Sequence, residues 1–227
     1  MSREPNQSRR AVVGPPVLPR PARDRRARDI WEGNTVLIPA VDSGLESLLR
    51  ATLPLTPQQG DVSFDAPSSS WAAQVNRLTV NLFLYDVCRS AQPLRTTPPR
   101  VLPDGTEQTR YPLPMVQLTY LVSAWAGTER DAHALLGDVL LASLAHQILP
   151  PEHLPIPLSS NVQLAVATDS QNKPREVWSA LSGPLRASFT LLATVAGDAY
   201  DWREEAERVE GVSAAVLPSW RDGASQQ

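Results

Sequence analysis

The chain has 227 residues, of which 42% are hydrophobic and 20% are charged, enough to build one globular core with tails. No apolar window approaches the 18 residues of a membrane span, and no apolar segment follows the charged N-terminus as in a secretory signal. The single cysteine, Cys88, excludes an internal disulfide and indicates a reducing compartment. We therefore expect a cytoplasmic protein in which Cys88 is a small, buried side chain.

The net charge of −3 is unevenly distributed. Residues 1–29 hold eight arginines and three acidic residues, a local charge of +5 that leaves −8 for the rest. The segment also has five prolines and few large apolar residues, so it cannot offset the entropy of ordering. We predict a disordered arm that contacts a neighbouring subunit through Arg23, Arg25, Arg26 and Arg28. A phosphate-binding tail is the alternative, disfavoured because no stacking aromatic residues are interleaved with these arginines.

The first predicted element is a helix from about Val36 to Leu53, with one apolar stripe and with prolines at its end. A short strand near Val62–Phe64 follows. Three later stretches, at residues 76–87, 115–126 and 185–195, alternate apolar and polar side chains with a period of two. They predict strands about twice the usual length, each with one core face and one small, polar face that meets neighbouring molecules. The candidate interface residues on the polar face are Gln117, Thr119, Ser188, Thr190 and Thr194.

Residues 90–114, between the first two long strands, are rich in proline and contain an Asp104-Gly105 turn, which predicts a hairpin-like excursion. After the second long strand, Thr128 and Asp131 resemble a capping box and open a helix that should run to about Ile148. A short strand at 162–167 and a brief helix at 175–181 come next, and residues 201–209 are expected to form a charged surface helix. The core stripe predicted for the helix after Thr128 consists of Leu136, Val139, Leu140, Leu144 and Ile148.

No catalytic constellation is present in the sequence. The three histidines lack the spacing of metal ligands, and there is no nucleophile elbow, phosphate-binding loop or dinucleotide fingerprint. Asp198 and Asp201 could pair as acid and base, with Asp86 elsewhere, but acidic residues at strand ends are common. The sequence therefore predicts a protein that is not an enzyme and has no cofactor, no metal and no small-molecule substrate.

Four motifs occur in an order and spacing that resemble a known family. They are NLFLYDV at residues 81–87, PLPMVQLTYLV at 112–122, AHALLG at 132–137 and EVWSALSGPLRAS at 176–188. Over roughly residues 34–198 the chain resembles the N-terminal domain of the tail-terminator, or cap, proteins of contractile injection systems of the virulence-cassette and antifeeding-prophage type. The motif positions with implied structural roles are Leu84, Tyr85, Asp86, Tyr120, His133, Leu136, Gly137, Trp178 and Arg186.

This resemblance implies an α+β fold at residues 30–200, between the arm at 1–29 and a charged C-terminal segment and tail at 201–227. It implies a mixed, mainly antiparallel sheet of long strands with two main helices on one face. It also implies a homohexameric ring that ends the polymerisation of inner tube and sheath and couples the two, in a bacterial particle that can be released. The alternatives are a tail-completion or baseplate-adaptor ring, or a nucleic-acid-binding protein acting through the arm.

Overall fold

A computed structural model of the chain describes residues 37–53, 55–56, 58–168 and 174–204. The predicted arm and its arginines, Arg23, Arg25, Arg26 and Arg28, lie outside the described residues, as does the segment from 205 to 227. The described elements, in chain order, are α1 (Leu37–Thr52), β1 (Gly60–Ser63), α2 (Ser69–Ala72), β2 (Leu78–Arg89), β3 (Arg100–Val101), β4 (Glu107–Thr109), β5 (Met115–Trp125), α3 (Glu129–Ala145), a 3-10 turn (Pro151–His153), β6 (Gln163–Val166), α4 (Pro174–Leu181), β7 (Ser188–Ala196) and β8 (Arg203–Glu204).

The three predicted long strands form the centre of a five-stranded sheet in the order β1-β2-β5-β7-β6. β1 pairs parallel with β2, and every other neighbouring pair is antiparallel. One face of the sheet carries α1 and α3, whose apolar side chains form a single core with those of the strands. The predicted α+β architecture, with two main helices on one face of a mainly antiparallel sheet, is confirmed.

The opposite face of the sheet was expected to be open, and this expectation is wrong over much of its area. At one end the short helices α2 and α4 cover it with a cluster built on Trp71, Trp125 and Trp178. At the other end Leu113, Met115 and Ala196 form a small separate core. A period of two identifies which side chains share a face but carries no information about which segments later cover that face.

The core stripe predicted for α3 needs correction. The helix is capped by Thr128 as predicted, since its Oγ1 accepts from the Asp131 amide at 3.2 Å, but it ends at Ala145. Its buried residues are Ala132, Leu135, Val139 and Ser143, and Leu136 and Leu140 pack at the edge of the core. Leu144 and Ile148, both predicted to be buried, are 54% and 47% exposed. The helix carries two apolar stripes, and the outer one does not face the sheet.

Two further predictions are wrong. Cys88 is exposed rather than buried, because the last four residues of β2 lie beyond the part of the strand that the core covers. Residues 203–204 form strand β8 against β4 instead of the predicted surface helix, and the rest of that predicted helix lies outside the described residues. Pairing with a distant strand therefore decides the conformation of Arg203 and Glu204, which local sequence could not reveal.

Candidate assembly surfaces

The polar residues of the long strands are largely enclosed within the chain. Thr119, Thr190 and Thr194 are only 5%, 0% and 6% exposed, so these three side chains offer little surface to a neighbouring molecule. Gln117 and Ser188 are half-buried. The expectation of an exposed polar face is thus corrected at the three threonines. Gln117 and, with its small exposed fraction, Thr194 line an open groove.

Two serines on this face hold the indole rings of the tryptophan cluster. The Trp178 Nε1 donates to Ser188 Oγ at 3.0 Å, and the Trp125 Nε1 donates to Ser123 Oγ at 3.1 Å. Trp71 completes the cluster with its ring edge-on to Trp125, the two centroids 5.1 Å apart. The alternation of small polar and large apolar residues here provides acceptors for buried indole N–H groups, which need a partner when desolvated.

Arg186 joins the start of β7 to the start of α3. Its guanidinium lies 4.3 Å from the centroid of the Trp125 ring and forms an ion pair with Glu129 at 2.7 Å. The structure therefore brings two motif positions, Trp178 and Arg186, to the ring of Trp125. A shallow groove of about 450 Å³ runs beside them, lined also by Arg77 and Pro184.

The Leu-Tyr-Asp motif forms an irregularity in β2. The register with β5 shifts between Leu84 and Asp86, so Tyr85 is an extra residue on this strand. Leu84 packs on the main core while Tyr85 packs against the tryptophan cluster on the other face. Asp86 is exposed. The motif therefore places one side chain in each of the two apolar clusters, which lie on opposite faces of the sheet.

Tyr120 is fully buried and links β5 to α1 through a polar contact inside the core. Its hydroxyl donates to Asp42 Oδ1 at 2.7 Å. Burial raises the pKa of Asp42 above its ordinary value, and the hydrogen bond from Tyr120 partly opposes that rise. Burial and the Asp42 carboxylate both raise the pKa of Tyr120, so its hydroxyl stays protonated and keeps donating.

The remaining motif residues lie on α3. His133 is exposed, Gly137 is half-exposed and Leu136 packs at the edge of the core. His133 and Gly137 are therefore not part of the main core and lie on the outer side of the helix.

A cluster of arginine and aromatic side chains holds the C-terminal described segment on the excursion between β2 and β5. The guanidinium groups of Arg100 and Arg110 lie 4.3 and 4.6 Å from the ring of Trp202. Arg110, whose side chain is 7% exposed, also forms an ion pair with Asp198 at 2.6 Å. Sequence reasoning missed this cluster because its partners are about 90 residues apart and no short-range pattern connects them.

An open groove of about 590 Å³ runs along edge strand β6 and the end of α3. Four glutamines contribute to its lining, and Gln92 Nε2 donates across it to Gln163 Oε1 at 2.9 Å. Leu144, Ile148 and Val166 supply apolar surface, and none of the lining residues is charged. Uncharged surface with exposed large apolar side chains is typical of the central part of a protein–protein interface.

The described residues offer little that resembles an active site. Ser47 Oγ lies 2.9 Å from His153 Nδ1, but this pair joins α1 to the 3-10 turn and the structure gives no third group oriented on the imidazole. Asp198, a candidate acid or base in the sequence, forms an ion pair with Arg110 and accepts a hydrogen bond from Ser159 Oγ. Within the described ranges no group of three acidic, histidine or cysteine side chains could hold a metal. Among the same residues, no helix is both long and apolar enough to cross a membrane.

Comparison with known proteins decides the family. The family model described as the Pvc16 N-terminal domain matches residues 40–209. The chain belongs to the Pvc16 N-terminal domain family. The predicted resemblance to tail terminators of contractile injection systems is confirmed. No curated protein matches the chain in sequence.

Two solved structures share the fold of this Pvc16 N-terminal domain. One is the sheath/tube terminator of an extracellular contractile injection system, PVC, in the extended state, with a TM-score of 0.60 and 21% identity. The alignment covers 82% of this chain and 65% of the terminator. The other is the tube-terminating cap of the anti-feeding prophage, with a TM-score of 0.57 and 22% identity over 80% of this chain and 62% of the cap. The chain thus spans less than two thirds of the length of either relative.

Proposed function

We propose that this protein is a cap of a phage-tail-like contractile injection particle, where it ends the polymerisation of inner tube and sheath. The observation that carries the proposal is the family match over residues 40–209, together with a shared fold with a sheath/tube terminator and a tube-terminating cap. A terminator acts by binding the last subunits of a polymer. It needs well-formed contact surfaces and no reacting groups.

We further propose that six copies form a closed ring that couples the sheath to the tube. A six-membered ring requires two different contact patches on each subunit, because neighbours related by a rotation axis of order higher than two meet head to tail. The uncharged groove beside β6, with Gln117 in its lining, and the groove beside Arg186 at the other end of β7 supply two distinct surfaces. In this proposal the domain at residues 30–200 forms the ring, and Arg23, Arg25, Arg26 and Arg28 of the arm contact a neighbouring subunit.

Deletion of the gene tests the function. Cells without the cap should yield tubes or sheaths of uncontrolled length, or no assembled particles, when lysates are examined by electron microscopy. Expression of the wild-type chain in the deletion strain is the control and should restore particles of uniform length. Particles of normal length and number in the deletion strain would contradict the proposal. Intact tubes that lack a baseplate would instead favour an adaptor at the other end.

A further inference from the structure

The outer side of α3 carries a second apolar stripe. Ala134, Gly137, Leu141 and Leu144 follow one another at intervals of three, four and three residues, the spacing of the contact positions in a coiled coil. Leu141 is 66% exposed and Leu144 is 54% exposed. Residues at this spacing lie on one side of a helix, so the stripe is a continuous surface on which a second helix can pack.

Within the described part of the chain, Gly137 makes no contact that explains a glycine. A Cβ atom built at this position meets nothing within 4 Å, so none of the described segments approaches closely there. Its backbone is helical and does not have the positive φ found at Gly105, so the conformation does not require glycine either. Glycine is the poorest helix former after proline. A glycine on an open helix face becomes useful when another backbone or a large side chain packs against that point.

The charges of α3 favour an antiparallel partner of the same sequence. All charged residues of the helix, Glu129, Arg130, Asp131 and Asp138, lie in its first ten residues, and residues 139–145 are uncharged. In a parallel, in-register pair of copies, Asp131 and Asp138 would lie level with the same carboxylates of the partner. In an antiparallel pair with Gly137 opposite Leu141, the two Asp131 carboxylates move to opposite ends of the pair, whereas the two Asp138 residues stay within about 3 Å of each other along the axis. The two helix dipoles then oppose each other favourably.

The sizes of the side chains favour the same arrangement. The stripe has its small residues, Ala134 and Gly137, towards the N-terminus and its large residues, Leu141 and Leu144, towards the C-terminus. We propose that α3 pairs with α3 of a second copy in antiparallel orientation, with Gly137 opposite Leu141 and Ala134 opposite Leu144. Each large side chain then packs over a small one, and the stripe is complementary to itself.

This contact has two-fold symmetry, whereas the proposed ring closes through head-to-tail contacts, so the pair does not rest on the proposed function. Leu144 also lines the groove beside β6, so a subunit whose groove is filled in the ring does not form the pair at the same time. A single pair of 17-residue helices buries less than the roughly 1,200 Å² of a standard stable interface. The pair should therefore be weak and reversible. We expect a monomer at about 1 μM and a dimer at about 100 μM, in line with interfaces at the low end of the size range.

Two exposed leucines give a matched test by analytical ultracentrifugation of the full chain. Leu141 is 66% exposed and Leu185, on the loop before β7, is 67% exposed, so replacing either by serine removes equivalent surface without disturbing the core. Leu141→Ser should abolish the concentration-dependent dimer, with at least a tenfold weaker association, and Leu185→Ser should leave it unchanged. A wild-type chain that stays monomeric at 100 μM, or a dimer that survives Leu141→Ser, would overturn the proposal.

Cysteine cross-linking tests the orientation and also applies if the chain sediments as a larger ring. In a Cys88→Ser background, Ala134→Cys and Leu144→Cys proteins should form a disulfide when mixed and not when oxidised separately. In the proposed pair, equivalent positions are about 15 Å apart along the axis, beyond the roughly 7 Å between Cα atoms that a disulfide spans. Cross-linking of each protein with itself would indicate a parallel pair, and no cross-linking in the mixture would remove the contact. Either result overturns the proposal.

Discussion

Replacing Tyr120 by phenylalanine isolates the one polar contact described above inside the main core. The substitution removes a hydroxyl that donates to Asp42 at 2.7 Å and leaves a partly buried carboxylate without this donor. Hydrogen bonds to charged groups contribute about 1.5–3 kcal/mol. At pH 7 we therefore expect Tyr120→Phe to lower the free energy of unfolding by about 2 kcal/mol. For a domain of this size that corresponds to a fall in Tm of about 4–8 °C.

The loss of stability in Tyr120→Phe should depend on pH, because it depends on the charge of Asp42. Burial makes the folded-state pKa of Asp42 higher than its ordinary value of 3.8, so folding disfavours the charged carboxylate. The stabilisation by protonated Asp42 is fully present below its unfolded-state pKa and is lost as the pH rises through its folded-state pKa. Because the Tyr120 hydrogen bond lowers the pKa of Asp42, removing it raises that pKa further. The deficit of Tyr120→Phe should therefore be larger at pH 7 than at pH 4.

Urea unfolding followed by tryptophan fluorescence measures the free energy of unfolding at pH 7 and at pH 4. The Asp42→Asn substitution supplies the control. The asparagine keeps an oxygen that accepts from Tyr120 but carries no charge. In that background Tyr120→Phe should cost only about 0.5–1.5 kcal/mol, the value for a neutral hydrogen bond, with no change between pH 7 and pH 4. A loss that is equal at both pH values, and equal with Asp42 and with the Asp42→Asn substitution, would refute the electrostatic part of this reasoning.

Three other substitutions test separate parts of the fold. Gly137→Ala should raise the free energy of unfolding by about 0.5–1 kcal/mol in thermal melts at 1 μM, because the position is helical and open; a loss of stability would contradict that geometry. Trp178→Ala should lower it by about 3–5 kcal/mol in urea melts, since the indole is 2% exposed, and a loss below 1 kcal/mol would show that the cluster is not a core. Arg110→Ala should speed deuterium uptake at β8 without changing exchange in β5, because it removes the contacts to Asp198 and Trp202. Unchanged uptake at β8 would contradict the proposal that these contacts hold the segment in place.

Most of the main sheet could be predicted from the sequence because its strands are long and alternate regularly. β5 begins at Met115 as predicted, and β2 and β7 each lie within three residues of their predicted bounds. Alternation is a local property of the sequence, and it does not depend on which segments pack on the sheet. The helices α1 and α3 were predictable for a similar reason, since prolines follow the end of α1 and the Thr128 cap marks the start of α3.

Contacts between distant segments could not be predicted in the same way. The burial of Thr119 and Thr190 depends on neighbours that lie far away in the sequence, and the strand at Arg203 depends on β4, almost 100 residues earlier. In the core stripe predicted for α3, Leu144 and Ile148 are wrong, because they are as apolar as the buried residues but lie on exposed surface. Hydrophobicity alone does not indicate which of two apolar stripes faces the sheet, and here Leu135 and Val139 do.

The position of the protein on an assembled particle tests the central proposal most directly. Gold-labelled antibody against the chain, applied to purified particles and viewed by electron microscopy, reports which end carries it. We predict label at the end opposite the baseplate, where inner tube and sheath stop. Label at the baseplate, or along the whole length of the sheath, would contradict the proposal that this protein is a cap.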